Sequence, residues 1–588
     1  MQGTTRLSPS KLDLPPTTAS PPASICERPT PALEETVKTN RKALAALSIF
    51  AAGSLALTAC GGGSGDSGKS SSAGSESGAA TSNAIITTNG SEPQNPIIPT
   101  NTTEVGGGKI ADLIFAGLVS FDAKGAVQMD QAESITPNDT NTLWTVKLKS
   151  GLKFTDGTPV TSDSFIKAWN YGANIANAQG ASYFFDNIKG YSADEKNPVA
   201  EMEGLKKVSD TEFTVELINA EADFTKRIGY TAFVPLPESA FADMKAFGEN
   251  PVGNGPYKFE KTGAWVHNEG VTLVKNADYQ GSRTAKNGGV KITFYADQTA
   301  AYADAQSDEL DVLDAVPDSN FTNYESDFEG RSVNQPAAIF QSFTIPQYLE
   351  HFKPGKEGEL RRKAISMSID RESIIKAVFN GTRTAAKDFT SPVIEGWSDK
   401  LEGSDALSFN ADEAKKLWAE ADAISKYDGT FTIAYNADGG HANWVTAATN
   451  SIAKNLGIKA EGKAYPAFKQ LLDDEDKDKM TGAFRSGWQA DYPSMYNFLA
   501  PLYQTGAGSN YGRYTSTEFD GLLKEGAAAK SEADATAKFQ DAQKVLLKDL
   551  PVVPLWYSNV NGVWGNKVQN VEFGWNSVPL YYNITKAE

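Results

Sequence analysis

The segment "RSGWQADYPSM", residues 485–495, contains three side chains whose chemistry could serve a site. Arg485 offers a permanent cation, Trp488 an aromatic face with one N–H donor, and Asp491 a carboxylate. Such a cluster could be part of an active site, a structural ion pair beside a core tryptophan, or the wall of a ligand pocket. The segment alone leaves all three interpretations open, so the rest of the chain must decide between them.

The overall composition is that of a globular protein with an acidic surface. The chain has 588 residues, of which 40% are hydrophobic and 22% charged, and this length suits two to four domains. Its formal net charge is −18, and the only short basic run is "LRRK" at 360–363. Because phosphate recognition needs clustered Lys and Arg, this balance argues against a nucleic-acid partner.

The cysteines and histidines argue against a disulfide framework and against a metal centre. Both cysteines, Cys26 and Cys60, lie in the N-terminal region, outside the expected folded core. The three histidines have no second ligand at metal-binding spacing; they are His267, His351 and His441. We therefore expect no metal and no cofactor.

The N-terminal region carries the pattern of an export signal. The apolar segment "ALAALSIFAAGSLALTA", residues 43–59, follows a basic stretch and is shorter than the roughly 20 residues of a membrane-spanning helix. It ends in "LTAC", which resembles the lipobox of bacterial lipoproteins, in which the thiol of the cysteine is lipidated. We therefore predict a signal peptide at 37–59 and a lipid anchor at Cys60, on the extracytoplasmic face of the cell membrane.

The residues on either side of this signal have a different character. Residues 61–83 form a Gly/Ser-rich run without apolar periodicity, which indicates a flexible tether from 60 to 83. Residues 1–36 are rich in Pro, Thr and Ser and precede the basic stretch. We predict that they are an extension upstream of the true translation start, with Val37 as the initiator.

Local patterns after residue 84 predict mixed α/β structure without internal repeats. "TLWTVKLKS", residues 142–150, alternates as a half-buried strand does. A turn at Asp156-Gly157 follows, and then a helix capped by Thr161 or Ser162. Residues 288–317 read as strand, helix and short strand, the order of a βαβ-like unit, and Asp370 should cap a later helix.

Six ordered sequence blocks give the chain a family resemblance over about 86–585. They are "GLKFTDGTPVTSDSF", "NPVGNGPYKF", "VKNADYQG", "LRRKAISMSIDRESI", "FNADEAKKLWAEA" and "GWQADYPSMYNFL". In this order they resemble the family 5 solute-binding proteins of ABC importers, of the oligopeptide- and dipeptide-binding type. One departure is Asp308, which stands where the family usually has glycine and can still adopt a left-handed backbone.

The resemblance implies an α/β fold: a bilobed clamshell of the type II periplasmic-binding-protein class with an extra inserted domain, known as cluster C. Lobe I would comprise 84–116, 253–317 and 558–588, the inserted domain 117–252, and lobe III 318–557. The lobes would close on a peptide and present it to the permease and ATPase subunits of the importer, with the binding protein a monomer. No chemistry would be performed on the ligand.

The resemblance also assigns roles within the opening segment. Asp491 matches the acid that pairs with the free α-amino group of a bound peptide. Gly487 and Gln489 match positions whose backbone pairs with the peptide main chain, while Trp488 packs nearby. From the facing lobe, Thr103 to Val105 would take part in the same main-chain pairing.

Two basic residues match family positions that meet peptide carboxylates. Arg485 lies six residues before Asp491, and His441 lies six after Tyr435 in "YNADGGH". Each also has a structural alternative, namely an internal salt bridge for Arg485 and a surface loop position for His441.

Competing interpretations remain at this point. The same fold could bind an oligosaccharide through stacking on Trp488, Tyr492 and Tyr496, and a secreted hydrolase using two carboxylates is a remote alternative. The acidic run "DDEDKDK" at 473–479 lacks the glycine and terminal glutamate of a calcium-binding loop. We predict that this run is a solvated charged surface.

Overall fold

A computed structural model describes residues 83–194, 196–437, 440–466 and 468–587. The N-terminal extension, the signal peptide, Cys60 and the tether up to residue 82 lie outside these ranges, so the predictions made for them concern residues that are not described.

The strands of the described residues are short except for two of 13 residues each. In chain order they are β1 (Ile85–Gly90), β2 (Val119–Phe121), β3 (Val127–Met129), β4 (Ala132–Pro137), β5 (Leu143–Leu148), β6 (Leu205–Ser209), β7 (Glu212–Glu216), β8 (Tyr257–Phe259), β9 (Trp265–Val266), β10 (Gly270–Lys275), β11 (Gly289–Phe294), β12 (Val312–Leu313), β13 (Ser332–Thr344), β14 (Arg383–Ala385), β15 (Thr430–Asn436), β16 (Lys459–Tyr465), β17 (Ala483–Gln489), β18 (Val552–Trp564), β19 (Val568–Gln569) and β20 (Thr585–Lys586).

The α-helices of the described residues range from one to five turns. In chain order they are α1 (Val105–Ile114), α2 (Ser162–Ala173), α3 (Phe224–Arg227), α4 (Met244–Glu249), α5 (Gln298–Gln306), α6 (Tyr324–Asp327), α7 (Lys356–Met367), α8 (Arg371–Phe379), α9 (Ala411–Ile424), α10 (Ala442–Leu456), α11 (Phe468–Asp476), α12 (Met495–Tyr503), α13 (Thr517–Ala527) and α14 (Glu532–Asp549). Among the residues described, we find no helix with the length and apolar character needed to span a bilayer.

One large mixed sheet runs through both lobes of the bilobed α/β fold. Its strand order is β16-β15-β17-β13-β18-β12-β1-β11-β10-β8, with β14 added beside β18 and β9 beside β10. The long strands β13 and β18 pair antiparallel from Ser332 opposite Val563 to Thr344 opposite Val552. At one end β12 pairs with β18, and at the other β17 pairs with β13, so these two strands connect the lobes. Their register shifts between Pro336 and Phe340 and again between Gln341 and Ser342, and such irregularities favour local bending of a strand pair.

A separate four-stranded sheet, in the order β4-β5-β7-β6, belongs to the segment inserted between α1 and β8. Its strand β5 has the predicted alternation, with Trp144, Val146 and Leu148 buried. Helix α2 packs its predicted face, Phe165, Ala168 and Trp169, into the same apolar core. Sequence periodicity therefore predicted both elements correctly, because one face of each is buried and the other is solvated.

Turns and caps also follow the sequence. Gly157 has a φ of +88°, as the turn at Asp156-Gly157 requires. The backbone N–H of Thr161 donates to Oγ of Ser164 at 3.1 Å, which caps α2. Asp370 caps α8 by accepting from the backbone N–H of Ser373 at 3.1 Å.

The predicted strand–helix–strand unit is also confirmed. Strands β11 and β12 both pair parallel to β1 and lie on either side of it, with α5 between them in sequence. Asp308, which follows α5, has a φ of +60°, and its carboxylate accepts from the backbone N–H of Asn566 at 2.9 Å. This hydrogen bond helps to hold a backbone conformation that glycine would adopt at lower cost.

Candidate functional site: a strand edge facing a cleft

Strand β17 presents half of one edge to a cleft. On one side it pairs with β13 from Phe484 to Gln489, and on the other it pairs with β15 only at Ala483 and Phe484. Beyond Phe484, no strand of the described residues pairs with this second edge. A free edge of this kind can accept one more extended chain.

The alternation of backbone hydrogen bonds between β17 and β13 determines which residues of β17 direct their N–H and C=O groups to the open edge. The backbone N–H of Ala490 donates to the carbonyl of Ala338 at 2.9 Å. In an antiparallel pair such bonds recur at every second residue, so Trp488 and Ser486 bond to β13. The N–H and C=O groups of Gly487 and Gln489 therefore point away from β13, towards the open edge. Both residues are exposed.

Asp491 lies just after this edge and is oriented by Asn497 of α12. The side-chain nitrogen of Asn497 donates to Oδ2 of Asp491 at 3.1 Å. The side-chain oxygen of Asn497 accepts from the backbone N–H of Asp491 at 2.9 Å and from the indole N–H of Trp488 at 3.1 Å. One buried amide thus fixes both the carboxylate and the tryptophan.

Burial raises the pKa of Asp491 to about 6, although its hydrogen bond with Asn497 and the positive charge of Arg227 both act to lower it. The side chain is still partly exposed to the cleft. A partly dehydrated carboxylate binds a cationic ligand group strongly, because little water remains to compete for it.

The facing wall comes from the start of α1 and from the segment inserted between α1 and β8. A cavity of about 320 Å³ lies between Gln489 to Asp491 on one side and Thr102 to Val105 on the other. Thr103 and Val105 are exposed, and Val105 begins α1. Their neighbour Glu104 caps this helix by accepting from the backbone N–H of Gly107 at 2.9 Å. The structure thus brings Thr103 and Val105 to the same cleft as Gln489 and Asp491.

The two predicted carboxylate-binding residues, Arg485 and His441, are not among the residues that line that cavity. Nε of Arg485 donates to the side-chain oxygen of Asn436 at 2.7 Å. Arg485 also helps to line a second cavity of about 230 Å³, whose lining residues lie between Ser342 and Val552 in the chain. His441 immediately precedes α10, and its Nδ1 accepts from the indole of Trp444 at 3.0 Å. His441 is not among the residues that line either cavity.

The prediction for the acidic run 473–479 was wrong at one residue. Glu475 is only 4% exposed and lines the second cavity, whereas Asp476 to Lys479 are exposed as predicted. The first four residues of the run end α11, and of the run's five acids Glu475 is the one that is buried. Charge composition could not reveal this, because it carries no information about which helix face is covered.

Sequence reasoning also missed Asn497 and the aromatic residues of the cleft. Asn497 lies six residues after Asp491 and is buried. In the sequence it is a polar residue inside the otherwise apolar helix α12, and this pattern could have indicated a polar network. Tyr230 and Trp575 line the larger cavity from distant parts of the chain, and no local pattern links them to it.

Two of the aromatic residues considered for sugar stacking are engaged elsewhere. Tyr492 is 3% exposed and belongs to the core. The ring of Tyr496 lies 5.7 Å from that of Phe539 and packs against the neighbouring apolar core. For a metal, the described residues contain no group of three or more His, Cys, Asp or Glu side chains arranged to hold an ion.

The family model and the similar proteins found by comparison all indicate the same family. The family model of bacterial extracellular solute-binding proteins, family 5 (middle), matches residues 126–510. The oligopeptide-binding protein OppA of Bacillus subtilis is 26% identical over 523 residues, which cover 86% of this chain and 92% of that protein. The periplasmic oligopeptide-binding protein OppA of Escherichia coli is 26% identical over 488 residues, covering 80% and 87%.

Solved structures share the fold. The unliganded open form of the periplasmic murein tripeptide-binding protein MppA has a TM-score of 0.73 at 20% identity, covering 86% of this chain and 99% of that one. Haemophilus influenzae OppA in complex with the peptide RPPGFSPFR has a TM-score of 0.67 at 22% identity, covering 86% and 99%. These similarities show that the α/β clamshell fold predicted from the sequence is correct.

Proposed function

The chain belongs to the bacterial extracellular solute-binding proteins of family 5, and from this premise we propose that it binds peptides between its lobes for an ABC importer. The relatives named for oligopeptide binding support this ligand class. The observation that carries the proposal is the open edge of β17, which ends at the partly dehydrated carboxylate of Asp491.

These two features suit a peptide with a free amino terminus. An extended peptide can pair its main chain with Gly487 and Gln489, and such pairing is indifferent to side-chain identity. Its α-ammonium group can form a charge-assisted hydrogen bond with Asp491, worth about 1.5–3 kcal/mol. Thr103 and Val105 would complete the main-chain contacts from the facing wall.

The other end of the peptide would be bound by cations of lobe III. Arg485 belongs to the same strand as Gly487 and lies six residues before Asp491, which is roughly 20 Å along an extended strand. Its long side chain would therefore have to extend towards Asp491 to meet the carboxylate of a short peptide. His441 would serve a longer peptide, after a rotamer change that frees its ring from Trp444.

The cellular context is part of the proposal. Processing before Cys60 would leave a lipid-anchored protein outside the cell membrane, with the tether of residues 60–83 linking the anchor to the folded part. Lobe I (84–116, 253–317 and 558–588), the inserted domain (117–252) and lobe III (318–557) would close as a monomer, by bending at the register shift of β13 and β18. The closed form would be the one that the permease and ATPase subunits accept.

Native mass spectrometry tests the proposal. The protein is unfolded and refolded to remove endogenous ligand, then incubated with a mixture of di- to hexapeptides and, separately, with oligosaccharides. We expect intact peptides to be retained and oligosaccharides not to be. Retention of oligosaccharides alone would replace the proposal with sugar binding, and cleaved peptides would indicate a hydrolase.

A further inference from the structure

The second cavity of lobe III has an apolar wall and one acid that the peptide proposal does not use. Its volume is about 230 Å³, and it lies over the face of the sheet formed by Ser342, Thr344 and Ser486. Its sides include the apolar or aromatic residues Leu472, Leu502, Tyr503 and Tyr511.

Glu475 is the acid in this cavity, and it is incompletely paired. It is 96% buried, since only 4% of its surface is exposed, and its Oε1 has no hydrogen-bond partner among the described residues. Burial raises the pKa of Glu475 to about 7, while the positive charge of Arg485 acts to lower it. Buried carboxylate oxygens are rarely left unpaired, because dehydration without a partner costs free energy.

The neighbouring charged groups are held by other partners. Asp474, one residue earlier on α11, accepts a hydrogen bond from the hydroxyl of Tyr465 at 3.1 Å. Arg485 also lines the cavity, but its Nε donates to Asn436 of β15 at 2.7 Å. Glu475 therefore keeps a buried oxygen at the wall of this cavity, without a hydrogen-bond partner in the described part of the chain.

The cavity also adjoins the strand edge on which the proposed peptide would lie. Its lining includes Arg485, Ser486, Gly487 and Trp488, four consecutive residues of β17. An extended chain paired with that edge projects side chains alternately to the two faces of the sheet. Every second side chain is thus directed to the face on which the cavity lies.

We propose that this cavity is a side-chain subsite for a lysine or arginine residue of the bound peptide, with Glu475 as the counter-charge. This inference rests on the proposed function and adds a ligand class to it. Both side chains combine a long apolar stem with a terminal cation. The stem matches the wall of Leu472, Leu502 and Tyr511, and the cation matches the unpaired oxygen of Glu475.

Isothermal titration calorimetry with peptide pairs tests the inference. Lysine is placed in turn at each position of tetra-alanine, and norleucine, which has a similar stem without the charge, replaces it in the matched peptide. At one position we expect the lysine peptide to bind at least tenfold more tightly than the norleucine peptide. In Glu475→Gln this preference should fall to less than threefold, with the norleucine affinity unchanged within twofold.

The matched control is Asp476→Asn, which removes an exposed acid from the same helix end and should keep the preference. Equal binding of lysine and norleucine at every position by the wild-type protein would overturn the inference without any variant. A lysine preference that persists in Glu475→Gln would show that another residue supplies the counter-charge and would overturn the inference. If no peptide of the series binds, the proposed function has failed, and this outcome is distinct from loss of the lysine preference alone.

Discussion

The side-chain nitrogen of Asn497 lies 3.1 Å from Oδ2 of Asp491 and donates a hydrogen bond to it. Because the oxygen of the same amide accepts from the backbone N–H of Asp491 and the indole of Trp488, its orientation is fixed by two donors. The amide therefore holds one carboxylate oxygen and limits the rotation of the side chain. In the proposed peptide site, Asn497 would therefore act on the ligand through Asp491, as a positioning residue.

Replacing Asn497 by Asp should weaken peptide binding at pH 7. The new carboxylate keeps an acceptor for Trp488 and for the backbone of Asp491, but it places a negative charge beside Oδ2. A like charge at this distance raises the pKa of Asp491 further above 6, so less of it is ionised. We expect about tenfold weaker binding of a free-amine tripeptide by calorimetry. Gln504→Glu adds the same charge just beyond α12 and should have no effect; an unchanged affinity in Asn497→Asp would contradict the positioning role.

Peptide affinity should depend on pH in a bell-shaped manner. Asp491 must be ionised to bind an ammonium group, and its pKa is about 6, so affinity should fall by up to tenfold per pH unit below 6. Above about pH 8 the α-amino group of the peptide loses its proton, and affinity should fall again. Titrations between pH 4.5 and 9 measure both limbs.

Unfolding caused by protonation of Asp491 cannot explain the loss of peptide affinity below pH 6, the acid limb of the profile. A pKa raised in the folded state means that this group disfavours folding when ionised, so its contribution to stability improves as pH falls through 6. Asp491→Asn should therefore lose the acid limb while remaining folded. An acid limb of the same size in this variant would show that another group is responsible.

Removing a single N–H from the open edge should weaken peptide binding modestly. The backbone of Gln489 points away from β13, so Gln489→Pro removes a donor that the protein's own ladder does not use. One neutral hydrogen bond contributes about 0.5–1.5 kcal/mol, which corresponds to a roughly two- to tenfold loss of affinity. Gln489→Ala keeps the N–H and should bind as the wild type does. Equal binding by the two variants would mean that the peptide does not pair with this edge.

The buried ion pair of the inserted segment should be important for stability. Nε of Arg227 donates to Glu221 at 2.7 Å, and Glu221 is 1% exposed. Arg227→Met leaves that acid buried without its cation, and we expect a loss of about 3–5 kcal/mol in the free energy of unfolding. The loss should shrink as pH falls, because burial raises the pKa of Glu221 and its protonated form needs no cation. Denaturant titration measures both effects.

The matched control for this variant is Lys167→Met. It breaks the exposed pair with Glu238 and should cost less than about 1 kcal/mol. Equal losses in the two variants would contradict the distinction between the buried and the exposed pair.

Sequence reasoning succeeded where a local pattern determines the structure. The alternation of β5, the covered face of α2 and the cap at Asp370 follow from periodicity and hydrogen bonding within a few residues. The clamshell fold followed from six ordered blocks rather than from such patterns. Within "RSGWQADYPSM", the family resemblance singled out Gln489 and Asp491, and both residues line one cavity; their roles in binding stay predictions.

The features that sequence reasoning did not predict depend on contacts between distant parts of the chain. The inward turn of Glu475 is set by the packing of α11 over the sheet, which charge composition does not encode. The same holds for Thr103 and Asp491, which are separated by nearly four hundred residues in sequence and line one cavity in the fold.

The most direct test of peptide binding through Asp491 is a thermodynamic cycle measured by calorimetry. A tripeptide and its N-acetylated form are titrated into the wild-type protein and into Asp491→Asn at pH 7. We predict that acetylation weakens binding to the wild type at least tenfold and changes binding to the variant by less than threefold, because the ammonium–carboxylate pair is absent from the variant in either case. Equal losses on acetylation in the two proteins would show that Asp491 does not bind the amino terminus and would contradict the account.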